Sequence, residues 1–143
     1  MSGPVDPNRY RLLFYVAAFW NISAGVVALV APEYHAQTFF GSAESALDPV
    51  SVIDTQVFWV SVLLFGVGYW IVARDPSKNH GLVFIAAAGK ASVGARWIWA
   101  YTQGIVTPFA LVGATGDLVF AALFVLFLVR VQGASTRESK TTV

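Results

Sequence analysis

The sequence predicts an all-α protein, an integral membrane four-helix bundle that forms a single domain over residues 1–143 with both termini in the cytoplasm. Three observations predict it. Of the 143 residues 57% are hydrophobic and only 12% are charged, whereas about a quarter of an ordinary soluble domain is charged. A single soluble core of this size could not bury that much Leu, Val, Ala, Phe and Trp. Four apolar stretches recur, each close to the roughly 20 residues that a helix needs to cross about 30 Å of hydrocarbon. The cationic residues outside those stretches all fall on one side of the array they define.

The first stretch, "RLLFYVAAFWNISAGVVALVA" at 11–31, follows Arg9 and could be mistaken for a secretory leader. Its apolar run is too long for the hydrophobic region of a signal peptide, and it is read as a retained span. The sequon-like "NIS" at 21–23 lies mid-span, where glycosylation cannot reach it. The connection at 32–55 is the longest, and holds either a short interfacial helix through Tyr34, Phe39 and Phe40 or a plain loop. The second span, 56–73, is stopped by Asp75-Pro76, the third runs over 81–101, and Pro108 opens the fourth at 108–129. The two later connections are short, so consecutive spans are expected to be antiparallel neighbours. No internal repeat is visible.

Arg9, Arg11, Arg74, Lys78, Arg130, Arg137 and Lys140 lie on one side, while the other carries Glu33, Glu44, Asp48 and Asp54. The positive-inside rule assigns the first side to the cytoplasm. His35 and His80, the two histidines, then fall on opposite sides, which argues against a haem held by two histidines of one chain. The absence of cysteine excludes disulfides, thiolate metal sites and thiol redox chemistry. A net charge of +1 gives no general attraction to nucleic acid. The external set of Glu33, His35, Glu44, Asp48 and Asp54 has irregular spacing and is read as solvated loop rather than a metal centre, so no metal or cofactor is expected. No phosphate-binding glycine pattern follows a strand, and no Ser–His pair falls at matched depth.

The candidate functional residues are Asn21, Lys90, Arg96, Trp97 and Asp117, polar or aromatic side chains near the middle of otherwise apolar spans. At about 1.5 Å rise per residue, Asn21, Lys90, Arg96 and Asp117 converge on one layer near the midplane. Charges at that depth are costly unless paired, hydrated or turned into a cavity. Helical side chains lean toward the N-terminus. Arg96 and Asp117 therefore lean toward each other, which predicts an Arg96–Asp117 ion pair with Asn21 and backbone carbonyls beside Lys90. Lys90, Gly94 and Trp97 share one stripe of the third span, and Gly89, Ser92 and Arg96 share another. Small residues on both stripes suggest that this span is the most enclosed, with Gly25, Gly66, Gly68, Gly113 and Gly116 offering contact surfaces on the others. Most of the tryptophans and tyrosines sit near span ends, as interfacial anchors do.

Lys90 and Arg96 set against Asp117 leave one positive charge in excess. Either Lys90 is neutral, or it is hydrated, or an anionic group from a lipid, a substrate or a partner subunit enters. Three roles are open for the layer: a register-fixing ion pair, a ligand or lipid-headgroup site centred on Lys90, or a proton or ion relay.

The run of "PEYHAQTFFG", "FGVGYWIVARDP", "AAAGKASVG" and "GATGDLVFAALFVLFL" resembles small four-helix bacterial membrane proteins of broadly DoxX-like type. The resemblance implies a bacterial inner-membrane location. DoxX proteins are associated with quinone-linked sulfur oxidation in some archaea, and no residue here maps onto such a site. Small multidrug transporters, also four-helix, carry an essential acid in the first span where this chain has the neutral "FWNISAG". The leading expectation is a non-enzymatic accessory subunit or binder of a lipid-like or quinone-like anionic molecule, lying in the bilayer with a membrane-protein partner or further copies of itself. The alternative is a small oligomeric proton-coupled transporter or channel in which Lys90 or Asp117 changes protonation.

Overall fold

The computed structural model describes residues 6–43 and 49–141, with side chains as far as residue 131. Glu44 and Asp48 of the acidic connection lie outside the described residues, as do the side chains of Arg137 and Lys140. Among the described residues every regular element is helical. A 3-10 turn over Pro7–Tyr10 leads into α1 (Arg11–Val30), α2 (Pro32–Phe40), α3 (Pro49–Arg74), α4 (His80–Thr102) and α5 (Ala110–Thr141). Four helical stretches, Pro7–Val30, Pro49–Arg74, His80–Thr102 and Ala110–Val131, are long and apolar enough to cross a membrane.

Local chemistry accounts for the ends. The Asp6 carboxylate accepts from the Asn8 backbone N–H at 2.9 Å and caps the opening turn. Pro32 stands in the first turn of α2, where its missing N–H costs no helical bond. Gly41 closes α2 in the left-handed region at φ 75°, with its N–H donating to the Gln37 carbonyl. The connection at 32–55, open between helix and loop in the sequence, is thus helix for its first part. α3 begins at Pro49 rather than Gln56, and α5 continues to Thr141 past Val129. Hydropathy marks where a span leaves the apolar layer, whereas the helix goes on until a breaker stops it, and no proline or glycine pair follows Arg130 to do so.

Long-range bonds fix both ends of the bundle. At the end carrying the termini, Arg11 donates from Nε to the Ala73 carbonyl at 3.0 Å and from Nη2 to the Arg74 carbonyl at 3.2 Å, satisfying carbonyls that the end of α3 leaves free. In the neighbouring turn, Asp75 pairs with Lys78 at 2.8 Å and accepts from Ser77, contacts that hold its carboxyl at about 2. At the opposite end, Thr107 donates its N–H to the Phe39 carbonyl at 2.8 Å and its hydroxyl to the Thr38 carbonyl at 2.5 Å, tying α2 to the α4–α5 connection.

The helices pack as two intimate antiparallel pairs, α1 with α3 and α4 with α5. Glycine permits each approach. A Cβ at Gly66 would stand 2.7 Å from Ile22 Cγ1 of α1, and one at Gly94 would stand 2.9 Å from Leu118 Cγ and 3.0 Å from the Ala114 carbonyl of α5. The pairs meet through aromatic side chains near the end that carries the termini. There Phe14 of α1 stacks on Phe124 and meets Phe127 edge-on, at centroid distances of 5.2 and 5.1 Å. With Tyr69, Val72 and Val83, these residues form a buried, close-packed half.

α4 is not the most enclosed helix. In the apolar stretches of α1 and α5, 33% of the residues are buried, against 28% in that of α4. Lys90 and Gly94 of α4 turn inward, whereas of the second stripe Gly89 borders the interior and Ser92 and Arg96 are exposed. Leu12, Phe19, Val30 and Phe84 are each about two-thirds or more exposed, large apolar side chains on the outer surface of the helices. A Gly94→Val substitution forces Leu118 and the α5 backbone to shift and is expected to lower thermal stability, by about 1–3 kcal/mol on the scale of overpacked sites. Gly89→Ala, where a Cβ meets nothing within 4 Å, is expected to be neutral or stabilising. Parallel unfolding curves in detergent check the contrast.

Candidate functional site

The polar layer is a hydrogen-bonded chain through all four long helices. Lys90 of α4, with its side chain 5% exposed, donates from Nζ to Asp117 Oδ1 of α5 at 2.5 Å and to Asn21 Oδ1 of α1 at 2.9 Å. Asn21 donates in turn from Nδ2 to the Val62 carbonyl of α3 at 3.2 Å. The same ammonium lies 5.2 Å from the Phe120 ring centroid and 5.7 Å from that of Tyr69, so its apolar neighbours present ring faces. An ammonium has three N–H donors. Two are used here, which leaves a third donor on Lys90.

The expected Arg96–Asp117 pair does not form, and Lys90 takes its place. Arg96 is exposed, and its guanidinium stacks 3.9 Å from the Trp99 ring centroid on the outer surface. The lean of a helical side chain toward its N-terminus matters only for a residue that already lies on the inward face of its helix. The inward stripe of α4 contains position 90 and not 96, and from there the flexible four-carbon stem of Lys90 reaches Asp117. The pair is balanced, so the positive excess that called for an anion disappears once Arg96 leaves the layer.

Beyond this layer, away from the termini, residues of both helix pairs line a partly open cavity of about 470 Å³. Lys90, Asp117 and Asn21 lie at its deep end, and Tyr34, Thr38 and Phe39 of α2 border it at the other. Its walls are aromatic, with Trp20, Phe58, Trp59, Phe65, Trp97 and Phe109 among them. Gly89 and Gly113 line it too, and a Cβ at either would meet nothing within 4 Å. Val27 of α1 and Val112 of α5 line it while remaining about half exposed, so the chamber communicates with the flank of the bundle between these helices. Trp97 belongs to the wall, packed on Phe39 at 5.5 Å between centroids, rather than standing over Lys90.

Sequence reasoning missed the roof. His35, expected in a solvated loop, is 4% exposed, stacked on Phe39 at 4.6 Å and edge-on to Trp59 at 4.8 Å, and its Nε2 has no hydrogen-bond partner. Burial pushes its imidazole below the usual histidine range. The signal that could have found it was the amphipathic run through Tyr34, Phe39 and Phe40: a helix there puts His35 and Phe39, four residues apart, on one face. Among the described residues no group of three His, Cys, Asp or Glu side chains gathers as a metal site would require. No family model, curated protein or solved structure matches this chain.

Removing one partner of the buried pair leaves the other charge uncompensated. Lys90→Met or Asp117→Leu alone is expected to cost about 3–5 kcal/mol, and the double substitution less than either single one. Arg96→Leu is expected to show no coupling with Asp117→Leu in the same unfolding measurements. For His35, folding disfavours the protonated form, so near and below pH 6.5 the unfolded chain binds more protons. Protection of the α2 amides against hydrogen exchange is therefore expected to hold at pH 7.5 and to fall as pH drops through about 6, and His35→Phe to abolish that dependence.

Proposed function

We propose that this is a multi-pass protein of the bacterial inner membrane, with both termini cytoplasmic, that binds a lipid-like or quinone-like molecule in the chamber between its two helix pairs. The observation that carries this reading is the cavity itself. Its size lies within the range of about 300–1,000 Å³ usual for small-molecule sites, and it combines mostly apolar walls with a few convergent polar groups. The polar head of the ligand rests against the spare donor of Lys90 and the carboxylate of Asp117, and its apolar body lies against the aromatic walls. The balanced ion pair accepts a neutral head as readily as an anionic one. Entry is from the lipid, through the flank where Val27 and Val112 are exposed. The exposed apolar exterior supports immersion in a bilayer, and the one-sided distribution of Arg9, Arg11, Arg74, Lys78 and Arg130 supports the orientation.

A proton-coupled transporter or channel would need a route past Phe14, Phe124 and Phe127, which are fully buried between the pair and the end that carries the termini. That plug weighs toward binding over conduction. The role is that of a carrier or accessory subunit presenting its ligand within the membrane. Native mass spectrometry of gently solubilised protein tests it. The expected result is a small adduct on the wild type that is lost from the Lys90→Met, Asp117→Leu double variant, in which the pair is removed as a unit. A bare wild-type mass, or an adduct indifferent to the substitutions, would overturn the reading.

A further inference from the structure

The chamber has two polar ends. One is the Lys90–Asp117–Asn21 cluster. The other is His35, whose Nε2 is buried without a partner while its ring sits between Phe39 and Trp59 on the cavity border. An unpaired buried polar atom costs about 1–3 kcal/mol, a penalty that a hydrogen-bonding ligand would relieve. The same histidine also borders a second, smaller cavity of about 330 Å³ between the end of α1, α2 and the first turns of α3, so an ordered water there is the competing partner.

The axial distance between the two ends follows from α3. His35 packs on Trp59, whereas Asn21 bonds Val62 and packs against Gly66. Three to seven residues separate those levels, roughly 5–10 Å at the helical rise. On α4, Phe39 touches Trp97, seven residues from Lys90, which gives about 10 Å. One six-membered ring bearing oxygen at opposite corners, plus a hydrogen bond of about 2.8 Å at each end, covers that interval. A dry cavity of about 150 Å³ admits benzene, so about 470 Å³ holds one or two fused rings with substituents. Flat aromatic walls favour a flat occupant, by offset stacking and edge contacts.

We infer that His35 is a second ligand-binding residue and that the occupant is a flat ring compound with a hydrogen-bonding oxygen at each end, one held by Lys90 and Asp117 and the other by His35 Nε2. This rests on the chamber being a ligand site. It narrows the occupant from any lipid-like molecule to a two-ended ring, in preference to simple fatty chains, which offer Nε2 no partner.

Two probes separate the possibilities: tetramethylhydroquinone, with a hydroxyl at both ends of the ring, and 2,3,5,6-tetramethylphenol, with one. Each is titrated at equal membrane concentration into protein reconstituted in lipid nanodiscs with 15N-labelled histidine, and His80 serves as internal reference. The expected result is that the hydroquinone binds about three- to tenfold more tightly than the phenol. It moves the His35 Nε2 resonance while the phenol does not, and His80 stays still. His35→Phe, which preserves the stacking, is expected to erase the preference, and His35→Gln, which keeps a hydrogen-bonding group, to restore part of it. Equal affinities with an unmoved Nε2 would overturn the role of His35, assign that atom to water and leave the chamber as a one-ended site. Failure of both probes to bind would overturn this inference together with the reading on which it rests.

Discussion

The fold turns on satisfying one ammonium in an apolar interior. A lysine at the depth of Lys90 is tolerable only with a counter-charge and hydrogen-bond acceptors within reach, and the bundle brings them from two other helices. Asp117 of α5 and Asn21 of α1 bond Nζ directly, and Asn21 passes the linkage on to the α3 backbone at Val62. That chain is the cross-tie between two helix pairs that otherwise touch mainly through aromatic rings. It fixes the height of each helix against the others, because sliding any one of them by a turn would break a bond made in a largely apolar interior.

The cross-tie also divides the bundle. On the side of the termini, Phe14, Tyr69, Val72, Val83, Phe124 and Phe127 fill the space between the pairs. On the other side the pairs stand apart, and α2 lies over the gap, pinned by Thr107. The glycines follow this division. Gly66 and Gly94 sit where a side chain would collide within a pair, and Gly116 sits where one would strike Trp20 of the opposite pair, whereas Gly89 and Gly113 face open space in the chamber. One residue type thus serves close packing in one place and leaves volume in another. Association of helices in lipid draws little on the hydrophobic effect and depends on such fit, so a chamber left between well-packed pairs is compatible with a stable bundle.

Much of this was legible in the sequence. Length, apolar composition and four stretches of spanning length led to the helices, and depth counting brought Asn21, Lys90 and Asp117 to one level. What the sequence concealed was direction. Which face of α4 turns inward depends on the packing of Gly94 against α5, and that choice removed Arg96 from the layer and placed it on Trp99. The chamber was hidden for a related reason: a void is a relation among helices, and no residue spells it. His35 was hidden because its burial comes from the docking of α2 on Trp59, a contact between segments 24 positions apart. The Arg96 expectation failed because it compared the lean of two side chains without fixing which of them lies on the inward face of α4.

The central claim is the direct bond between Lys90 and Asp117, and it is testable without knowledge of any ligand. Solid-state NMR on protein in lipid bilayers can recouple the dipolar interaction between the Lys90 Nζ and the Asp117 carboxyl carbon, with Asp117→Asn to assign the signal and separate it from the Lys78–Asp75 pair at the surface. The account requires a hydrogen-bonded contact between these two groups and no contact between Asp117 and the Arg96 guanidinium. An Asp117 carboxylate coupled to Arg96, with Lys90 free of it, would contradict the cross-tie, and with it the placement of the chamber and its polar end.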